Sequence, residues 1–202
     1  MLLDELMPRC DATRVEHRVV DGPPESVYDA VRRADFMRTW RENRAARVLI
    51  GARVMVERVA ARVRGTEYRD VDEPESMRLA DLGAHGEWVL LGEDPPQEIA
   101  FGTVGRFWAG ETVWRESDAA ELPGFAEPGW AKIFCNFSLR PYGEHQTLVS
   151  YEARTQATDA AAHAGFMRYW RFASPMAGVV LRAQLSEVAR EAESPTAAPV
   201  AP

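Results

Sequence analysis

Residues 146–178 read QTLVSYEARTQATDAAAHAGFMRYWRFASPMAG, and the fold turns on a change of period inside them. Up to Ala157 the pattern alternates with a period of two, the signature of a half-buried strand. Thr158 or Asp159 then supplies an N-cap, because a short side-chain oxygen can accept from the free N–H groups of a first helical turn. Beyond the cap the apolar residues recur at helical spacing. Phe166, Trp170, Ala173, Ala177, Val180, Leu181, Gln184, Leu185 and Val188 make one stripe, flanked by Tyr169. Pro175 interrupts that stripe chemically, since it lacks an N–H, and predicts a kink or break near Ser174.

Working backward, residues 131–140, AKIFCNFSLR, form a second strand, and Pro141–His145 reads as the turn between the two. Pairing Arg140 with Gln146 sets Phe137 opposite Val149, Cys135 opposite Tyr151, Asn136 opposite Ser150 and Ser138 opposite Leu148. A shift of one residue would mix the faces, which burial disfavours. The odd-numbered residues are therefore expected to face the core. Phe137, Val149 and Tyr151 should be buried, while Asn136, Glu152 and Arg154 point outward onto a solvated sheet face. Glu87–Leu91 and Glu98–Phe107 read as an earlier hairpin around a Gly92–Pro96 turn. Residues 110–130 read as irregular.

At the other end, residues 13–20, TRVEHRVV, alternate Val15, His17 and Val19 against Arg14, Glu16 and Arg18, a half-buried strand. Pro23 and Pro24 open a helix carrying Val27, Ala30, Val31 and Ala34, with Glu25 in the first turn. Asp35 caps a second helix bearing Phe36, Met37 and Trp40. Residues 44–64 fit a helical face through Val48, Ala52, Met55, Val59 and Val63, although their valine density also suits a strand. Asp70, Asp72, Glu73 and Glu75 match no calcium-loop spacing and read as a solvated acidic loop. Residues 1–12 read as a loose lead-in with room for a turn of helix, residues 13–193 as one domain and residues 194–202 as a disordered Pro/Ala-rich tail.

The composition is that of a globular chain. Of 202 residues, 46% are hydrophobic and 27% charged, enough to build a core without a metal or disulfide staple. The net charge of −7 opposes nucleic-acid phosphates, so no nucleic-acid partner is expected. Lys132 is the single lysine; the other basic residues are arginines. Cys10 and Cys135 show no disulfide spacing. The N-terminus lacks the basic region of a signal peptide, and no apolar run is long enough to span a membrane, so the expected location is cytoplasmic.

The chemistry-bearing patterns are few. His85-Gly86-Glu87 has the H-x-E of zinc deaminases, but the C-x-x-C they require is missing. The four histidines show no ligand spacing, no G-x-S-x-G elbow occurs, and Gly102, Gly105 and Gly110 form neither a dinucleotide fingerprint nor a phosphate loop. Hence no catalytic residue, metal or cofactor is expected. The aromatic residues are the informative set. Trp88, Phe101, Phe107, Trp108, Phe137, Tyr151, Phe166, Tyr169 and Trp170 concentrate in the second half, where they either pack a core or wall an apolar pocket.

The element order is strand, two helices, a run of antiparallel strands and a long C-terminal helix. In that order, HRVVDGPPESVYDAV at 17–31, EDPPQEIAFGTVGRFW at 93–108, YEARTQATD at 151–159 and FMRYWRFASPMAG at 166–178 resemble the START-like superfamily. This superfamily is also called SRPBCC, or polyketide cyclase/dehydrase and lipid-transport proteins; more narrowly the chain is similar to an actinobacterial-type group within it. The resemblance implies an α+β helix-grip fold, a curved antiparallel sheet wrapped around the C-terminal helix with a cavity between them. It implies a small apolar, lipid- or polyketide-like ligand as partner. Trp88, Phe101, Phe137, Tyr151 and Tyr169 are the expected wall, with Cys135 and Trp170 next. The hydroxyls of Tyr151 and Tyr169 would orient a ligand carbonyl or hydroxyl. A cyclase or dehydratase, and a protein-interaction module with a residual cavity, are the alternative functions.

Overall fold

The computed structural model describes residues 1–38, 62, 75–108 and 112–194. The readings made for Trp40, for residues 44–64 apart from Arg62, for most of the acidic loop, for Gly110 and for the tail beyond Ser194 lie outside them. Helix α1 (Leu2–Leu6) leads into strand β1 (Ala12–Asp21) and helix α2 (Pro24–Arg33). A short pair, β2 (His85–Gly86) and β6 (Ser117–Asp118), stands apart. Strands β3 (Trp88–Asp94), β4 (Glu98–Arg106), β5 (Val113–Arg115), β7 (Ala131–Tyr142) and β8 (Gln146–Ala157) complete the main sheet with β1. Helix α3 (Ala160–Glu193) closes the chain. Among the described residues the main sheet has the order β1-β8-β7-β4-β3, with β5 beside the far end of β4, and every pairing is antiparallel. The curved, open sheet and the long C-terminal helix make a helix-grip fold.

The helices start where their chemistry places them. Asp159 caps α3, its carboxylate accepting from Ala161 N at 2.7 Å and Ala162 N at 2.9 Å. The Asp35 carboxylate accepts from Met37 N at 3.1 Å and from Met77 N at 3.0 Å, so one side chain ties two distant segments together. Pro175 does not break α3, which runs uninterrupted for 34 residues. The proline is exposed, so the Arg171 carbonyl left without a partner can bond to water instead.

The last hairpin corrects the expected register by two residues. Phe137 pairs with Tyr151, Cys135 with Ala153, Asn136 with Glu152, Ser138 with Ser150 and Arg140 with Leu148. The strands continue to Tyr142 and Gln146, which leaves a three-residue turn in which Gly143 takes φ +67°, the left-handed region open to glycine. A two-residue slip preserves the faces, because side chains alternate with a period of two. Phe137, Val149 and Tyr151 are accordingly buried on the inner face. The earlier hairpin is also longer than expected: β3 runs to Asp94, and the turn is Pro95–Gln97.

The inner face meets α2 and α3. Ile99, Phe101, Cys135, Phe137, Leu139, Val149 and Tyr151 pack against Val27, Val31, Leu181, Leu185 and Val188. Strand β1 reverses its expected orientation. Glu16 and Arg18 lie across from Tyr151 and Val149 and so share the inner face, while Val15 and Val19 are exposed. The reason is the edge position of β1. There the arginine stems can pack along α3 with their charged heads at water. Glu16 balances them, accepting from Arg14 Nε at 2.9 Å and Arg182 at 2.7 Å.

The outer face is covered, not solvated. Leu3 and Met7 of the lead-in join Val89, Val104, Leu122 and Phe134 in a second core. Arg154 anchors α1, donating to Leu3 O and Met7 O at 3.1 Å and to Asp4 Oδ1 at 2.7 Å, while Glu98 accepts from Leu2 N at 2.7 Å. Glu152 and Arg154 do point away from α3 as expected. Yet they lie largely under α1, bonded to each other at 2.7 Å, and Asn136 beside them is only 1% exposed.

Candidate functional site

The interface between the inner face and α3 holds a chain of aromatic rings. Phe36 stacks on Phe137 at 5.6 Å, and Phe137 on Tyr151 at 4.1 Å, an offset close to van der Waals contact. Phe101 lies 6.2 Å from Phe137 and 6.3 Å from Tyr151. Trp88 continues the chain at 5.7 Å from Phe101, and Trp114 follows at 6.0 Å from Trp88. Phe107 stands 5.9 Å from Trp114 and 5.8 Å from Tyr169. Phe166, itself edge-on to Phe107, carries the chain to Trp170 at 5.7 Å.

The seven expected wall residues thus fall into two groups. Phe101, Cys135, Phe137 and Tyr151, with Trp88 against them, sit in the central core. Tyr169 and Trp170 sit in a separate cluster with Phe107, Phe166 and Trp108. Trp114 joins the groups, and sequence reasoning missed it because residues 110–130 carry no periodicity. A signal was present in Gly105. A β-carbon there would overlap the Trp114 ring, so the glycine is the seat on which the indole lies. Phe36, which stacks under Phe137, was read only as part of a helix face.

Exposure changes along the chain of rings. Phe36, Phe101, Phe137 and Tyr151 are buried, whereas Trp88, Trp114, Trp108, Tyr169 and Trp170 are half-buried. The polar groups among the buried rings are uncharged. Burial pushes the Cys135 thiol up to about 12, against a smaller opposing effect of the Tyr151 hydroxyl beside it. Burial, and then the neighbouring Cys135, raises the Tyr151 hydroxyl well above its usual value. On α3, the Gln184 side-chain oxygen is buried without a hydrogen-bond partner, on the stripe that carries Leu181 and Val188.

Other titratable groups lie elsewhere. His17, His85, His145 and His163 are all exposed, with His85 3.1 Å from Asp118 and His163 3.1 Å from Asp11. A surface pocket of ≈ 260 Å³ lies beside His85, lined also by Arg115, Asp118, Glu121, Leu122 and Phe125. On the outer face Lys132 donates to Pro123 O at 2.8 Å, and burial lowers its pKa. Tyr28 is raised to about 12, by burial first and the Glu93 carboxylate second. Among the described residues no group of three or more histidine, cysteine, aspartate or glutamate side chains is arranged to hold a metal ion. No described helix is long and apolar enough to cross a membrane.

No family model and no curated protein matches the chain. Solved structures that align with it include a conserved protein from Geobacillus kaustophilus, 10% identical over 90% of this chain and 95% of that one, with a TM-score of 0.40. A protein from Mesorhizobium loti is 10% identical over 89% of this chain and 96% of its own, with a TM-score of 0.41. The di-domain ARO/CYC BexL from the BE-7585A biosynthetic pathway is 14% identical over 95% of this chain, with a TM-score of 0.32. This chain spans 53% of BexL's length.

Proposed function

We propose that this chain is a START-like protein that binds a small, uncharged apolar molecule between the inner sheet face and α3. The carrying observation is the continuous chain of rings that passes from buried Phe137 and Tyr151 to half-buried Trp88, Trp114, Tyr169 and Trp170. Such a gradient suits a ligand that enters at the tryptophan end and shields ring faces from water, about 25 cal/mol for each Å² of apolar surface removed. The polar groups on the path stay neutral. A thiol and a phenol pushed far above neutral pH are poorly suited to proton transfer but can hydrogen-bond a carbonyl or hydroxyl. These features favour binding over catalysis.

The test is titration of the uncharged fluorophore N-phenyl-1-naphthylamine into the wild type and into Phe137→Trp. The larger ring would crowd the stack at its tightest point. Saturable binding with a micromolar Kd in the wild type, weakened at least about tenfold in the variant, is expected for a ligand of this size. Equal fluorescence in the two proteins would remove the interior as the binding site.

A further inference from the structure

The outward face of α3 differs in character from the rest of the protein. The chain carries a net charge of −7, yet the 27 residues from Ala160 to Ser186 contain three arginines and no carboxylate. Within this run Phe172 is 80% exposed, the most exposed large hydrophobic side chain of the described residues. Arg168 and Arg171, one turn and one residue earlier, are exposed on the same side of it around the helix, and Pro175 follows about one turn on, also exposed. At about 100° per residue these four side chains span roughly a 100° arc of one helix face. On the inner side of the same turn, Tyr169 and Trp170 belong to the half-buried end of the aromatic chain.

We infer that this face of α3 docks on an anionic lipid surface, with Phe172 entering the headgroup layer and Arg168 and Arg171 pairing with lipid phosphates. Charge complementarity decides the occupant. An acidic protein approaching an anionic bilayer is repelled except where carboxylates are few. This stretch of α3 carries none of its own, and Glu16 of β1, which reaches it, is paired with Arg14 and Arg182, so the stretch also fixes the orientation. A single projecting aromatic at the edge of an arginine pair offers little flat apolar area for a protein interface. It does match the anchor-and-basic-flank pattern of a surface-bound helix. Docking there would bring the tryptophan end of the interior next to the membrane, where an apolar ligand is most concentrated. The inference does not require the interior to be occupied.

The experiment is flotation of the full chain with vesicles of phosphatidylcholine alone and with vesicles containing one part phosphatidylglycerol to two parts phosphatidylcholine. The expected result is recovery with the anionic vesicles only, suppressed by salt, since each basic residue near such a surface adds about fivefold to partitioning. Phe172→Ser should reduce recovery several-fold, and the pair Arg168→Glu with Arg171→Glu should abolish it. Both sites are exposed, and unchanged melting temperatures would show that the variants fold. Equal recovery with both vesicle types, or a Phe172→Ser protein that floats like the wild type, overturns the inference. So does a wild type that ignores vesicles but dimerises in sedimentation velocity through a contact that Phe172→Ser removes, which would assign the face to a second copy. Probe binding in the interior is scored separately, so either reading can fall alone.

Discussion

Two glycines of α3 show how one substitution can be costly in one setting and nearly neutral in another. A β-carbon on Gly165 would stand 2.6 Å from the Trp108 indole, which is itself held edge-on by Phe107. The indole cannot yield freely, so Gly165→Ala should lose about 1–3 kcal/mol to overpacking, more than the helix propensity it gains. On Gly178 the same β-carbon would overlap the Arg14 guanidinium, the free end of a flexible and partly exposed side chain. Arg14 can swing outward while Glu16 keeps Arg182. Gly178→Ala should therefore stay within about 0.5 kcal/mol of the wild type, the propensity gain offsetting the lost bond. Thermal melts of the two variants side by side check the contrast. At the centre of the stack Phe137→Ala should lose about 3–5 kcal/mol, the usual effect of deleting a buried aromatic ring.

At the scale of elements, the start of α3 carries a pH signature. The N–H groups of Ala162, Gly129 and Ala161 hold the Asp159 carboxylate below its usual range. A folded-state value below the unfolded one means that the cap's contribution is fully present at neutral pH. It disappears as pH falls through the folded value. Melting temperature followed from neutral to strongly acidic pH should fall more steeply in wild type than in Asp159→Asn, which can still cap but does not titrate there. Parallel curves would assign no role to this carboxylate. Helix α1 is the other element with a separable role. Removing residues 1–8 uncovers the outer core around Phe134 and deletes two buried side chains, Leu3 and Met7. The truncated chain should be about 3–5 kcal/mol less stable in urea unfolding, from the area term alone. The sequence showed a possible turn of helix here but not its docking, because Arg154 supplies the anchor from 147 residues away at Met7.

For the whole molecule, the two cysteines report on global unfolding. Cys10 is exposed and Cys135 is buried, with its thiol pushed up to about 12. A thiol reagent should label one cysteine in the native protein and both in denaturant, with the second following the unfolding rate. Two rapid labels without denaturant would mean that the inner face opens without unfolding. Much of this architecture was legible in the chain itself. The period change after Ala157, the Asp159 cap and the odd-numbered stripe of the last hairpin are local patterns, set by the alternation of strands, the turn of a helix and the free N–H groups at its start. Tertiary structure decided what local pattern leaves degenerate. A two-residue slip keeps every side chain on its face, so only the closing of the turn at Gly143 chose the register. Alternation in β1 marks two faces without saying which one α3 covers, and the edge position gave the charged face to the helix. Asn136, Glu152 and Arg154 look solvated in sequence because their cover, α1, comes from the far end of the chain. Likewise the union of the two aromatic groups through Trp114 exists only once β5 pairs with β4, since no periodicity announces a three-residue strand.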